Sequence, residues 1–198
     1  MKKRARKNFI YELLTFFSSI LNRLSSSKKR LLILFLLAII LLFFISHFRR
    51  IFFVIVLTSI GALSLIHSRY FKYSHYIGFE LCTMATVLTA IAYGPLFGLF
   101  TGFASLFGGF VLSGYFKPTY FISILVMPIV GLLVPMFSHL PLLYTGLIIT
   151  VLYDSIILPL YILMGSRPIS SLIFFITHVF FNLWVFSTVA PFLLSMMP

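Results

Sequence analysis

Two of the three acids in this 198-residue chain, Glu80 and Asp154, stand within stretches that otherwise read as hydrocarbon. A carboxylate at bilayer depth costs at least about 2.5 to 3.5 kcal/mol on insertion scales, so Asp154 is expected to face the protein interior, find partners and mark a functional site. The alternative is an aspartate that only glues helices together by hydrogen bonding. Depth can be compared by counting outward from the turn at Arg167-Pro168. Asp154 lies about 13 residues before that turn and Asn182 about 14 after it, so at 1.5 Å per residue both fall roughly 20 Å from it, near the midplane. His178 precedes Asn182 by four residues, on the same helix face and about 6 Å nearer the turn. Trp184, the only tryptophan, falls in the middle of its span, where an indole can wall a pocket and donate one hydrogen bond. Asp154, His178, Asn182 and Trp184 therefore form the candidate solute-binding set, and Glu80 joins it if it reaches a substrate.

Backbone chemistry points the same way. Pro159 and Pro191 each remove an N–H and displace the carbonyl four residues earlier, on Ser155 and Ser187. A freed carbonyl in lipid needs protein, water or ligand as a partner, and opened helices at the midplane are a recurrent way to build transporter sites. The alternative is a pair of kinks re-satisfied by neighbouring Ser and Thr side chains. Glu80 stands one turn into its span beside a polar loop containing Arg69, Lys72 and His75, so an ion pair with that loop is the expectation.

Catalysis finds little support in these residues. No Ser or Cys nucleophile is placed by motif beside His178, and the chain has neither an H-E-x-x-H pair nor a G-x-S-x-G elbow. Two acids in the membrane portion are a poor basis for holding Mg²⁺ with phosphate substrates. One cysteine, Cys82, excludes an intrachain disulfide and a Cys-based metal site. The expectation is no catalytic residues, no metal and no cofactor.

The elements that position these groups are membrane helices. The chain is 61% hydrophobic and 9% charged, with a mean hydropathy of +1.14, far from the soluble balance of roughly a quarter charged residues. Apolar stretches cover 31–47, 51–67, 77–93, 96–116, 120–137, 142–165 and 171–196, and the breaks between them carry turn residues. The fold class is all-α: a polytopic transmembrane helix bundle over 31–198, preceded by a basic segment over 1–30. Within that segment apolar residues recur at helical spacing over 8–24, which reads as an amphipathic helix in the membrane interface, or alternatively as a docking helix for a partner.

Nine of the 15 bases lie in the first 30 residues, which fits contact with lipid and an orientation signal rather than nucleic-acid binding. If the N-terminus is cytoplasmic, one side of the membrane carries 13 bases and the other only Arg49 and Arg50, as the positive-inside rule favours. The chain is thus expected in the cytoplasmic membrane, multi-pass, with its N-terminus inside. Gly94, Gly98, Gly102 and Gly109 lay a small-residue face along one span, opposite Cys82, Ala85, Thr86 and Thr89 of the preceding one. Such surfaces let helix backbones approach closely, so a tight hairpin about Gly94-Pro95 is expected, with a partner subunit as the alternative occupant of the face.

Residues 84–102, MATVLTAIAYGPLFGLFTG, resemble the second and third helices of the substrate-binding S components of energy-coupling factor transporters. They are also similar to MreD-type cell-shape membrane proteins, which carry the same Gly-Pro-x-x-Gly-x-x-x-Gly pattern. His178-Val-Phe-Phe-Asn182 followed by Pro191-Phe-Leu-Leu resembles the last helix of that superfamily. The resemblance implies a six-helix S-component-like core from 51 onward, here with an extra N-terminal apolar helix. It also implies solute specificity from the outer part of the last helices and the loop after the first core helix, and a membrane coupling subunit that links the bundle to cytoplasmic ATPases. If 31–47 spans, the core is inverted relative to that family, whose termini are both cytoplasmic. The functional expectation is a solute-binding transporter component, with an MreD-like scaffold as the alternative and a lipid-modifying enzyme as a third.

Overall fold

The computed structural model describes residues 27–70, 77–114 and 116–198. The amphipathic stretch at 8–24 and the loop bases Lys72 and His75 lie outside the described residues. Among those described the chain is helical, with no strand. The elements are α1 (Ser27–His47), α2 (Arg49–Ser64) continued by a 3₁₀ turn (Leu65–Arg69), α3 (Cys82–Tyr93), α4 (Pro95–Ser113), α5 (Tyr120–Phe137), α6 (Leu142–Leu163) and α7 (Pro168–Met196).

The chain divides into two units, Met1–Phe48 and Arg49–Pro198. In the first, α1 carries the apolar stretch Leu31–Phe43, whose side chains are almost all exposed, as befits a helix apolar all round. The second holds α2 to α7 around one core. Five helices, Arg49–Arg69, Pro95–Ser113, Tyr120–Phe137, Leu142–Leu163 and Pro168–Met196, are long and apolar enough to cross a membrane, which makes the chain a multi-pass membrane protein.

The expected span at 77–93 comes out differently. Its helix starts only at Cys82, and its 12 residues rise about 18 Å, short of the roughly 30 Å hydrocarbon core. Every residue from Cys82 to Ala90 is buried, so α3 is the central element of the second unit rather than a lipid-facing one. Two of its hydroxyls are satisfied within the helix: those of Thr86 and Thr89 donate to the carbonyls of Cys82 and Ala85, each at 2.8 Å.

Gly94 turns the chain between α3 and α4 with φ of 101°, and Pro95 follows at the first helical position, where its missing N–H costs nothing. The small-residue face is occupied inside the bundle. A Cβ on Gly98 would stand 3.1 Å from the Gly131 carbonyl oxygen of α5, and one on Gly102 3.0 Å from Met127 and 3.1 Å from Thr86. Gly109 approaches the Ala62 carbonyl of α2 in the same way. These glycines let α4 pack against α2, α3 and α5 of its own chain.

At one end of this unit the Arg49 guanidinium donates to the Met196 carbonyl at 3.1 Å, tying the start of α2 to the end of α7. The opposite end gathers Leu65–Arg69, the strand-like approach to α3, and the α4–α5 and α6–α7 turns, and it is where the functional side chains converge.

Candidate functional site

Residues 77–81 approach α3 as a strap fastened at three points. The Gly78 amide donates to the Thr177 hydroxyl of α7 at 2.9 Å, and the Leu81 amide donates to the Ser64 hydroxyl at the end of α2, also at 2.9 Å. Between them Glu80 turns inward. Its carboxylate accepts from the amides of Cys82 and Thr83 and from the Thr83 hydroxyl, the last at 2.5 Å, so an acid caps the positive end of α3. Gly78 is needed for this approach, because a Cβ there would overlap the backbone and Cβ of His178.

Of the loop bases expected to pair with Glu80, Lys72 and His75 lie outside the described residues; within the described residues Glu80 pairs with His178. His178 Nε2 lies 2.8 Å from Glu80 Oε1, and its Nδ1 lies 2.9 Å from each oxygen of Asp154. All three residues are buried, with exposures of 0% for His178 and Asp154 and 5% for Glu80. One imidazole thus bridges two carboxylates drawn from three separate elements. Both contacts are hydrogen bonds only when the ring carries a proton on each nitrogen or a carboxyl supplies one, so the cluster holds at least one proton beyond the neutral ring and two carboxylates.

Asp154 therefore meets His178, not Asn182, at its own level. Counting from Arg167 misplaced the register because the turn is four residues wide. Asp154 stands nine residues before the last residue of α6, and His178 ten after the first residue of α7. Asn182 sits one turn farther along, buried, with its amide donating to the His178 carbonyl at 3.0 Å. Its Oδ1 is buried with no partner among the described residues. Trp184 corrects the expectation of a pocket wall: it is 56% exposed, on the outer surface. Two turns of the same helix can carry a buried face and a lipid face, and Trp184 is two residues, about 200°, from Asn182. Pro159 and Pro191 lie inside continuous helices, and Ser155 and Ser187 are exposed, so neither proline opens the backbone into a break.

Beside the cluster lies a cavity of about 440 Å³. Glu80 is the one member of the cluster that lines it. Its polar wall includes His67, Lys117, Ser123, Tyr161 and Arg167, and Phe110 stacks on Tyr120 in the same wall with ring centroids 4.2 Å apart. Ser123 and Tyr161 join α5 to α6 through a 2.5 Å hydrogen bond between their hydroxyls. Gly165, with φ of 92°, closes α6: its amide bonds the Ile162 carbonyl and the Ser166 amide bonds that of Tyr161, which sets Ser166 and Arg167 in the cavity wall. Sequence reading missed these residues. Gly78 just before Glu80 was one available signal, and the hydroxyl-rich run Ser166 to Ser171 around Arg167 was another.

No family model matches this sequence, and no curated protein or solved structure matches it.

Proposed function

We propose that this chain is a small-solute-binding membrane protein of the transporter type, similar in role to the substrate-binding subunit of an energy-coupling factor transporter and without a catalytic step of its own. The observation that carries this reading is the cavity of about 440 Å³ at one end of the bundle, within the size range of small-molecule sites and lined by both aromatic faces and hydrogen-bonding groups. The Glu80–His178–Asp154 cluster supports it as a rigid base. It holds α6, α7 and the start of α3 in register behind the cavity, and a buried paired charge is well suited to fixing such a register. A catalytic role for His178 is disfavoured because both ring nitrogens already face carboxylates, leaving no free lone pair for a substrate.

The chain is then the binding subunit, and energy coupling falls to a separate membrane subunit with cytoplasmic ATPases. Within the second unit the cavity end carries Arg69, Lys117 and Arg167 and the other end Arg49 and Arg50, so the positive-inside rule favours the cavity end on the cytoplasmic side of the cell membrane.

The test is a solute screen by thermal shift on the purified full-length protein. Hits should vanish in Ser170→Trp, which fills the cavity, and survive in Ser195→Trp, on the exposed surface near the C-terminus. Hits that survive Ser170→Trp unchanged would remove the cavity as the site. Crosslinking with mass spectrometry addresses the partner: capture of a coupling subunit with ATPases supports the reading, and capture of cytoskeletal proteins alone favours a scaffold.

A further inference from the structure

The cavity does not end at its polar wall. Next to it an open apolar groove of about 580 Å³ runs between α6 and α7, lined by Ile162, Ile169, Leu172 and Phe175, and the two spaces share Leu158 and Ser171. Ile162, Ile169 and Leu172 are exposed on the membrane-facing surface, so the groove opens toward lipid. A polar compartment and an apolar slot meeting at two residues match a molecule with a polar head and a hydrocarbon tail.

The sign of the head follows from which polar groups are already engaged. Among the described residues Glu80 is the only acid in the cavity wall, and its oxygens already accept from two amides, the Thr83 hydroxyl and His178. It has little left for a cation. The opposite charge is better supplied: Arg167 stands exposed beside the junction of cavity and groove with no hydrogen bond or ion pair from its side chain among the described residues, and Lys117, which has an interaction of its own, adds positive charge to the same wall. His67 adds a proton-accepting or proton-donating atom. Its Nδ1 donates to the Ser64 carbonyl at 2.6 Å, which leaves Nε2 buried in the wall without a partner among the described residues. That nitrogen accepts from a protonated phosphate oxygen, or donates to an oxyanion once it holds the proton itself.

Building on the solute-binding reading, we propose that the solute is an amphiphilic oxyanion, whose phosphate or carboxylate head sits among Arg167, Lys117 and His67 and whose alkyl chain lies in the groove between α6 and α7. Such a molecule enters sideways from the membrane leaflet, past Leu158 and Ser171, rather than from water.

The probe is a twelve-carbon alkyl phosphate bearing a diazirine near its chain end, added to the full-length protein in nanodiscs of zwitterionic lipid and photocrosslinked. The expected result is saturable labelling concentrated in 158–175, displaced by dodecyl phosphate far better than by inorganic phosphate or dodecanol. Arg167→Gln should weaken displacement by about tenfold, the loss expected of one hydrogen bond to a charged group. Leu172→Trp, which fills the groove from an exposed position, should cut the labelling about fivefold or more. Unsaturable labelling spread over all lipid-facing helices would overturn the proposal, as would equal displacement by dodecanol. If a water-soluble hit remains sensitive to Ser170→Trp while the probe fails to label 158–175, the amphiphile is wrong and the solute site stands. If no compound depends on Ser170, both fall.

Discussion

Glu80 and His178, 98 residues apart in sequence, meet at 2.8 Å inside the bundle, and the same carboxylate caps the first turn of α3. One side chain thereby sets where the central helix begins and fastens that beginning to the last helix. Asp154 completes the arrangement from the far side of the imidazole and brings in α6. Two of the chain's three acids thus meet on a single histidine.

Removing that histidine leaves two buried carboxylates facing each other across a void. His178→Ala is expected to destabilise the protein by about 3 to 5 kcal/mol, the cost of breaking a buried pair by deleting one partner. Thermal unfolding in detergent measures this. A double-mutant cycle with Glu80→Gln should then show strongly non-additive losses, since the second change relieves part of the first.

Gly78 and Gly108 offer a matched contrast. A methyl on Gly78 would collide with the backbone of His178, so Gly78→Ala must shift the strap and should cost about 1 to 3 kcal/mol. A methyl on Gly108 meets only Ala62 Cβ, at an ordinary 3.6 Å, and Gly108→Ala in mid-helix should be neutral or stabilising by up to about 1 kcal/mol. Parallel melting curves of the two variants decide it.

Trp184 faces outward and is the sole tryptophan, so intrinsic tryptophan fluorescence reports its surroundings alone. Reconstitution into brominated lipid should quench most of that emission. Emission unaffected by bromolipid but changed by a cavity ligand would place the indole inside instead.

These side chains also mark how far the sequence could be read. The helices described from residue 27 onward and the Gly94-Pro95 turn followed from apolar runs and turn chemistry, and Asp154 was recognisable because an acid in hydrocarbon demands a partner. Which partner it takes was not legible, because a turn of four residues rather than a point moves the facing register by one helical turn and substitutes His178 for Asn182. Trp184 was misplaced because the midspan position gives depth without giving the face. The short α3 escaped notice for a different reason. Ile77, Phe79 and Leu81 let the approach read as part of an apolar span, while the tertiary hydrogen bonds of Gly78, Glu80 and Leu81 fasten it outside the helix.

Orientation is open to a direct check. With the cavity end cytoplasmic, a fluorescent-protein fusion after Lys72 should fluoresce and an alkaline phosphatase fusion there should be inactive, with the reverse pattern after Arg49. The opposite pattern would turn the core over and place the cavity outside.

The cavity as the solute site is tested most directly by ligand protection at Ser170. Cys82 is fully buried and serves as a silent background, so Ser170→Cys supplies the reactive thiol, with Ser195→Cys as the outer-surface control. A saturating solute from the thermal-shift screen should slow maleimide labelling of Ser170→Cys by about tenfold or more, the protection expected when ligand is held at ten or more times its Kd, and leave Ser195→Cys unchanged. Equal labelling rates at Ser170→Cys with and without that solute would contradict the account.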